Sequence, residues 1–204
     1  MADPVLWTNP MSRGRIARWM LEEVGCAHEV RQVAYGAEMR DPAYLALNPM
    51  GKVPTLSHGA VVVTEAAAIC AYLADTYPDA GLAPPLGERG PYYRWLFFAA
   101  GPLEAAVTNR AMGFEAPDRS AMLGYGSYDA ALDAVSGLLS ERDYVTGAFS
   151  AADVYLGAQI IWGLSFGTVT PRPGFAAYAE RLSARPAYAR ARAADDAAEA
   201  AAPM

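Results

Sequence analysis

The sequence predicts an α+β domain followed by an all-helical domain. Up to residue 79, short apolar strands and helices follow one another in the order βαβ-ββα, whereas from residue 91 onward no strand pattern appears and helical runs follow one another. Residues 80–90 break all periodicity and lie in a stretch dense in proline and glycine, which is typical of an interdomain linker. We therefore expect domains over 1–79 and 91–204, joined by a linker over 80–90.

The first half of the α+β domain has the pattern of a strand, a helix and a second strand. Residues from Pro4 to Thr8 form a short apolar run. Apolar positions from Arg15 to Val24 then recur at helical spacing and end at a glycine. Residues from His28 to Val33 alternate in the manner of a strand. These three runs predict the βαβ unit.

The second half of this domain predicts a hairpin and a closing helix. A short helix opens at Asp41-Pro42. Strands then start near Val53 and Val61, on either side of a turn at His58-Gly59. A helix from Glu65 to Tyr77 follows, because its large apolar positions share one face.

The all-helical domain is predicted as four helical runs. They cover residues from Pro91 to Met112, Arg119 to Leu139, Ser150 to Phe166 and Gly174 to Arg192. Gly101-Pro102 should interrupt the first run, because proline removes a helix hydrogen bond and clashes with the preceding turn. Ser150 and Asp153 have the spacing of a capping box. The tail from Ala193 to Met204 is mostly alanine and acid, so we expect it to fray or to be disordered.

The composition excludes several classes of function. The net charge is -6 and there is no basic run, so the surface should repel nucleic acid and anionic lipid. No window approaches the ~18 continuous apolar residues that span a bilayer. The N-terminal residues lack the features of a secretory signal. We expect a soluble cytoplasmic protein whose partners are small molecules.

The cysteines and histidines do not have the spacing of a metal site or a redox motif. Cys26 and Cys70 are far apart and form no Cys-x-x-Cys motif, so each is expected to pack as a small hydrophobe. His28 and His58 have no partners at the spacing of metal ligands. We therefore predict no metal site.

The most informative motif is a proline loop followed by a hairpin. Pro54, in the run Asn48–Leu56, cannot donate a ladder hydrogen bond. It therefore marks a sheet edge or a cis turn, at which the backbone of the preceding residue faces outward and is able to bind a peptide. After the hairpin, a helix opens at Glu65 and Ala66, and helix N-terminal amides favour a carboxylate. The pattern indicates a binding site for a small acidic peptide thiol.

This pattern resembles the glutathione-binding motif of the cytosolic glutathione S-transferase family. The resemblance implies a thioredoxin-like N-terminal domain, in which a cis-proline presents the preceding backbone to the cysteinyl part of glutathione. Lys52, Val53 and Pro54 are the residues expected to contact glutathione there. The family also implies a homodimer that takes glutathione as its co-substrate and conjugates it to small apolar electrophiles in detoxification.

Glu65 and Ala66 match the acid and hydroxyl pair that the family uses for the γ-glutamyl end of glutathione. The acid is implied to bind the ammonium group and the next residue to bind the carboxylate. Because Ala66 has no hydroxyl, only its backbone amide is left for the carboxylate, and weaker affinity is expected. The alternative for Glu65 is an ordinary acid in the first turn of a helix.

The turn between the first strand and the first helix holds the candidates for thiolate stabilisation. Ser12 resembles the catalytic serine of the bacterial, serine-type members, whose hydroxyl donates a hydrogen bond to the thiolate. The same serine is also suited to cap the helix that follows. Arg13 is the alternative, because its guanidinium or its backbone amide would also stabilise a thiolate. Thr8 and Asn9 are minor candidates.

The second substrate is expected in a pocket between the two domains. Tyr92, Trp95 and Trp162 are weak candidates for its lining, since aromatic residues at helical spacing usually belong to a core or a subunit interface. Two alternatives to conjugation stay open. One is a noncatalytic member that binds glutathione or apolar ligands or acts as an interaction module; the other is a glutathione-dependent isomerase or dehalogenase.

Overall fold

A computed structural model describes residues 2–114 and 116–201 of the chain. These residues form two compact units. One unit runs to Leu82 and resumes at Arg185, and the other is Ala83–Ala184. The predicted domain limits at residues 79 and 91 stay a prediction. The contacts group the segment from Arg185 onward with the first unit. Within the described ranges, no helix is both long and apolar enough to cross a membrane.

The first unit contains the predicted βαβ-ββα order. Its elements up to Leu82 are β1 (Val5–Thr8), α1 (Gly14–Val24), β2 (Glu29–Gln32), a short 3-10 helix (Glu38–Arg40), α2 (Pro42–Leu47), β3 (Thr55–His58), β4 (Val61–Thr64), α3 (Ala66–Thr76) and a second 3-10 helix (Pro78–Ala80). The short helix α2 begins where predicted, because the Asp41 side chain accepts a hydrogen bond from the Ala43 amide. The hairpin turn lies at Gly59 and Ala60, one residue later than predicted.

The strands form one mixed sheet in the order β2-β1-β3-β4. β1 and β2 are parallel, whereas β3 is antiparallel to both β1 and β4. Leu6 and Leu56 lie opposite each other on the central strands and are fully buried. Helices α1 and α3 pack against each other and bury Ile16 and Ile69. The core of this unit therefore lies along β1 and β3, the two strands that lead to the predicted site.

The second unit is helical, as predicted. Its helices are α4 (Arg89–Phe98), α5 (Glu104–Ala111), α6 (Tyr128–Glu141), α7 (Ala151–Phe166) and α8 (Phe175–Ser183), with 3-10 helices at Leu86–Glu88 and Pro117–Met122. Between α4 and α5, residues Ala99–Leu103 form a π-helical segment that contains Pro102, so the predicted interruption is confirmed. The predicted run from Arg119 to Leu139 is wrong in its first third. Gly126 has a left-handed backbone, and α6 starts only after Ser127, whose side chain accepts from the Ala130 amide.

The predicted capping box at the start of α7 is confirmed. The Asp153 carboxylate accepts hydrogen bonds from the Ser150 amide at 3.0 Å and from the Val145 amide at 2.8 Å. It also accepts from the Tyr178 hydroxyl at 2.9 Å. Burial raises the pKa of Asp153 to about 6, against the opposing effect of these hydrogen bonds. The acid therefore ties α7 to the preceding loop and to α8.

The prediction of a single helix from Gly174 to Arg192 is wrong. The chain forms α8 and then α9 (Pro186–Ala200), because Arg185 takes an extended conformation before a proline that starts a new helix. The expected fraying from Ala193 is also wrong up to residue 200, since α9 packs on α1 and buries Asp195. Residues 202–204 of the predicted tail lie outside the described residues.

Candidate functional site

Three segments meet at one end of the sheet. Thr55, the first residue of β3, pairs with β1 on one side and with the last residue of β4 on the other. Because both ladders are antiparallel, the segments that precede β3 and follow β1 and β4 share this end. They are the turn Asn9–Arg13, the loop Val53–Pro54 and the start of α3 at Glu65. The sheet thus brings together the predicted thiolate and glutathione residues of the first domain.

The Ser12 hydroxyl makes two hydrogen bonds in the turn between β1 and α1. It donates to the Asn9 carbonyl at 2.6 Å and accepts from the amide of Gly14, the first residue of α1, at 2.9 Å. The second bond satisfies the first amide of α1, but Arg13 is the residue at the N-cap and its side chain makes no cap hydrogen bond, so Ser12 supports the helix start from one residue before the cap. Its role toward a thiolate stays a prediction, and it would require the hydroxyl proton to turn away from Asn9.

Asn9 fixes the same turn to the sheet. Its side-chain amide donates to the Val33 carbonyl at 3.0 Å, and its side-chain oxygen accepts from the Met11 amide at 2.9 Å. These two bonds use both ends of the Asn9 side chain. Asn9, a minor candidate for thiolate stabilisation, therefore holds the turn in shape with both ends of its side chain.

A glycine lets α1 start directly against β1. A Cβ at position 14 would lie 1.8 Å from the Thr8 hydroxyl oxygen and 3.0 Å from the Ser12 hydroxyl oxygen. No side chain larger than hydrogen fits there without displacing both hydroxyls. Thr8 itself is fully buried, and its hydroxyl oxygen has no hydrogen-bond partner among the residues that the structure describes. Thr8, the last residue of β1, is therefore a buried residue against the start of α1.

The start of α1 is electropositive. Arg13 precedes its first residue and is exposed, and the first turn of the helix contains no acid. The N-terminal amides of a helix carry a partial positive charge of their own, which favours an anion. Arg13 and the helix amides together make this end of the site suitable for a thiolate.

The proline loop is held from inside by two side chains. The Lys52 carbonyl accepts hydrogen bonds from the Tyr44 hydroxyl at 2.6 Å and from the Asn48 side-chain amide at 2.8 Å. Gly51 has a φ of +59°, and a Cβ there would lie 2.6 Å from the carbonyl oxygen of Met39. The Lys52 side chain is exposed. The loop backbone is therefore fixed while its one lysine faces solvent.

The Val53–Pro54 peptide bond is cis, and β3 lies inside the sheet, so the cis turn is the correct one of the two predicted alternatives. The Val53 side chain packs against a buried cluster of Val33, Met39 and Tyr44. None of the described residues makes a hydrogen bond to the Val53 backbone. Its amide and carbonyl are therefore available to an extended peptide.

Glu65 occupies an unusual backbone conformation at the start of α3. Its φ is 67°, the only positive φ of a non-glycine residue in the described ranges, and such a conformation costs on the order of 1–3 kcal/mol. The side chain is exposed and makes no capping hydrogen bond. Ala66 begins the helix and is buried, so its amide and not its side chain is the group it offers.

The second-substrate candidates belong to the other unit. Tyr92 and Trp95 are buried in α4, and the Trp95 ring meets Phe98 edge to face with 5.2 Å between ring centroids. Trp162 of α7 is half-buried. The burial of Trp95 and its contact with Phe98 are those of a core residue. A role of these three side chains toward a substrate stays a prediction.

The cysteines and histidines are separate from this end of the sheet. Burial raises the pKa of both the Cys26 and the Cys70 thiol, which makes them poorer nucleophiles. His58 is buried, with its Nδ1 2.9 Å from the Tyr72 hydroxyl. The described ranges contain no group of three or more His, Cys, Asp or Glu side chains that could hold a metal ion.

Sequence reasoning missed the residues that support the site. Tyr44 and Asn48 hold the loop through hydrogen bonds to the Lys52 carbonyl. Asn48 lies in the proline-loop motif itself, so its amide side chain could have been recognised from the sequence. Arg15 is a further contact of the turn, because it donates to the Pro10 carbonyl. Nothing in the local pattern separates Arg15 from Arg18, the other arginine of α1.

Comparison with known proteins gives one family. The family profile described as "Glutathione S-transferase, N-terminal domain" matches residues 11–76. A glutathione S-transferase of Arabidopsis thaliana is 34% identical over 57% of this chain, and the matched part is 60% of that protein. Glutathione S-transferase 3 of Zea mays is 30% identical over 92% of both chains. Maleylacetoacetate isomerase of Pseudomonas aeruginosa is 31% identical over 79% of this chain and 81% of its own.

Solved structures that superpose on this chain include glutathione transferases as well. A glutathione transferase from Methylococcus capsulatus superposes with a TM-score of 0.78 at 29% identity, covering 95% of this chain and 99% of the other. A theta class glutathione S-transferase from Xanthomonas axonopodis pv. citri, with glutathione bound, superposes with a TM-score of 0.70 at 32% identity. That match covers 94% of this chain and 97% of the other.

Proposed function

The chain belongs to the glutathione S-transferase family, and we propose that it binds glutathione at this end of the sheet, stabilises the thiolate and conjugates it to small apolar electrophiles. The observation that carries the proposal is the convergence of three groups on one sheet end. They are the unpaired backbone of Val53, the exposed carboxylate of Glu65 and the electropositive start of α1.

Each group suits one part of glutathione. The amide and carbonyl of Val53 pair with the backbone of the cysteinyl residue, in the manner of a peptide added to a strand. The Glu65 carboxylate binds the γ-glutamyl ammonium, and the amide of Ala66 at the start of α3 binds its carboxylate. Lys52 is the only lysine of the chain, and its exposed ammonium adds positive charge beside the loop.

The cysteinyl sulfur then lies toward the turn before α1. A thiol of pKa ~8.5 is only a few per cent ionised at pH 7, so a site that stabilises the thiolate raises the fraction of nucleophile. Ser12 supplies a hydroxyl donor, and Arg13 with the amides of α1 supplies positive charge. The thiol proton passes to solvent when the thiolate forms. The thiolate then makes a carbon–sulfur bond with the electrophile, which either expels a leaving group with its bonding electron pair or, at an activated double bond, breaks the π bond and takes a proton from solvent.

A second candidate is glutathione-dependent isomerisation, which the similarity to maleylacetoacetate isomerase favours. The same thiolate would add to an activated double bond and leave again after rotation. The two reactions differ in glutathione balance, because conjugation consumes one glutathione for each product and isomerisation consumes none. A thiol count during turnover separates them. If glutathione binds and no conjugation, isomerisation or dehalogenation occurs, the noncatalytic alternative is the correct one.

We also propose a cytoplasmic homodimer, as is usual in the family. Tyr93 and Phe97 on α4 are exposed, with 6.4 Å between their ring centroids, and they supply apolar area for such an interface. Light scattering at micromolar concentration should therefore give twice the chain mass of 21.7 kDa. A monomer mass over that range would contradict the dimer.

Titration calorimetry tests glutathione binding directly. We expect the wild-type protein to bind glutathione and Glu65→Gln to bind it ~10- to 100-fold more weakly, since a hydrogen bond to a charged group contributes about 1.5–3 kcal/mol. Asp79→Asn is the matched control, because Asp79 is an exposed acid of the same unit away from this end of the sheet. Absence of both binding heat and a rise in Tm at millimolar glutathione would contradict the proposal.

A further inference from the structure

Arg15 joins the turn before α1 to the last helix of the chain. Its Nε donates to the Pro10 carbonyl, which lies between Asn9 and Ser12 in the turn. Its two terminal nitrogens pair with Asp196 at 2.6 Å and with Glu199 at 2.7 Å, both on α9. A single planar guanidinium thus connects three groups from two distant parts of the sequence.

The position of α9 over Arg15 is set by a buried ion pair one turn further along α1. Arg18 Nε lies 2.7 Å from Asp195 Oδ1, and both residues are buried. Trp19 of α1 meets Tyr188 of α9 edge to face, with 4.9 Å between ring centroids. These contacts fix the rotation of α9, so that the next acids along it face Arg15.

The turn that Arg15 contacts carries the proposed donor to the thiolate. Asn9 holds the turn to the sheet through the Val33 carbonyl, and Ser12 closes it with a bond to the Asn9 carbonyl. On the helix side, the Pro10 carbonyl is held by Arg15. The turn is therefore supported from the sheet by Asn9 and from the helices by Arg15.

We propose that Arg15 is a positioning residue for the thiolate site, held in place by Asp196 and Glu199 of α9. This assignment rests on the proposed function, since it concerns the turn that presents Ser12 to the sulfur. The Arg15 side chain is 21% exposed, whereas those of Asp196 and Glu199 are 51% and 45% exposed. Ion pairs at that exposure add little to stability, so their loss should change the order of the turn more than the folding of the protein.

A further ion pair between the same two helices, away from the turn, supplies a matched control. Arg190 of α9 pairs with Glu22 of α1 at 2.8 Å, and it does not contact the turn. A variant at Glu22 therefore weakens the docking of α9 without removing the support of Pro10. Any effect that Glu22→Gln shares with variants of Asp196 and Glu199 belongs to helix docking in general.

The experiment compares wild type, the double variant Asp196→Asn/Glu199→Gln, and Glu22→Gln. The first readout is hydrogen exchange of the Met11 and Gly14 amides, both of which are hydrogen-bonded inside the turn. The second is the pKa of the bound glutathione thiol, from thiolate absorbance, together with kcat/KM. In the double variant we expect about five- to tenfold faster exchange at both amides, a raised thiol pKa and a similar loss of kcat/KM. Glu22→Gln should resemble wild type.

Arg15→Lys adds a test of geometry. A lysine ammonium lacks the planar fork that holds Pro10, Asp196 and Glu199 together, and it removes the Nε bond to Pro10, so this variant should show exchange at least as fast as the double variant and a similar loss of kcat/KM. Wild-type behaviour of the double variant in either readout, or equal changes in Glu22→Gln, would overturn the assignment of Arg15. A wild-type protein without activity toward glutathione would overturn the proposed function itself. The two failures are therefore distinguishable.

Discussion

Replacing Ser12 with alanine removes a hydroxyl that makes two hydrogen bonds in the turn before α1. The hydroxyl donates to the Asn9 carbonyl at 2.6 Å and accepts from the Gly14 amide at 2.9 Å. A bound thiolate would take the place of the Asn9 carbonyl as acceptor of the hydroxyl proton. The net free energy gained from the hydroxyl–thiolate hydrogen bond is therefore smaller, because the bond from Ser12 to the Asn9 carbonyl is lost.

The two hydrogen bonds differ in strength because only one acceptor is charged. A hydrogen bond to a charged group contributes about 1.5–3 kcal/mol, and one between neutral groups about 0.5–1.5 kcal/mol. The exchange from the Asn9 carbonyl to the thiolate should therefore be worth about 1–1.5 kcal/mol. At 1.36 kcal/mol per unit, this corresponds to a shift of ~1 unit in the pKa of the bound thiol. We expect Ser12→Ala to raise that pKa by about one unit.

Thiolate absorbance during a pH titration at saturating glutathione measures this pKa. Ser12→Thr is the matched control, because it keeps a hydroxyl at the same position. Arg13→Gln tests the alternative donor. An unchanged thiol pKa in Ser12→Ala would refute the reasoning, and a raised pKa in Arg13→Gln alone would identify Arg13 as the group that stabilises the thiolate.

Three further outcomes are expected. Ala66→Ser should tighten glutathione binding by about 0.5–1.5 kcal/mol in calorimetry, since it adds one hydrogen bond at the start of α3; equal or weaker binding would mean that the carboxylate already has its full set of donors. Gly14→Ala should lower the Tm and the glutathione affinity together, because its Cβ would lie 1.8 Å from the Thr8 hydroxyl oxygen, and unchanged values would contradict the close approach. Asp153→Asn should cost about 1–3 kcal/mol of unfolding free energy at low pH, because an amide nitrogen then faces a buried donor. Burial raises the pKa of Asp153 from 3.8 to about 6, so the stability that the wild-type acid contributes is complete below pH ~3.8 and is lost as the pH rises through 6. The difference in stability between wild type and Asp153→Asn should shrink over that window, and a constant difference would contradict the raised pKa.

The sheet and the binding loop were predictable because their signals are local. A proline before β3 and short apolar or alternating runs for the strands are visible within a few positions, and the strand order brings Val53 and Glu65 to one sheet end. The local pattern left a sheet edge and a cis turn both open at Pro54, and it gave no sign of the positive φ of Glu65. The assignment of these residues to glutathione came from the family resemblance and stays a prediction residue by residue.

The tail from Ala193 was wrongly predicted because it is held without large apolar residues of its own. Its buried residue is Asp195, which pairs with Arg18 of α1 at 2.7 Å. Alanine is also the strongest helix former. The alanine-rich tail, which has no large apolar pattern, therefore forms a stable helix once it packs on α1. Asp196 pairs locally with Arg192, but its shorter ion pair is with Arg15, which lies 181 residues away in the sequence, and no local pattern predicts that pair.

The two interpretations of Ser12, helix cap and thiolate donor, use different parts of one hydroxyl. A serine hydroxyl has one proton to donate and two lone pairs that accept. Capping the Gly14 amide uses a lone pair, whereas the thiolate would take the proton that now points at the Asn9 carbonyl. The cap can therefore persist while the donor changes partner, and it keeps the oxygen in place during that change. Because both roles depend on the one oxygen, Ser12→Ala should lose the bond to the Gly14 amide and raise the thiol pKa in the same variant.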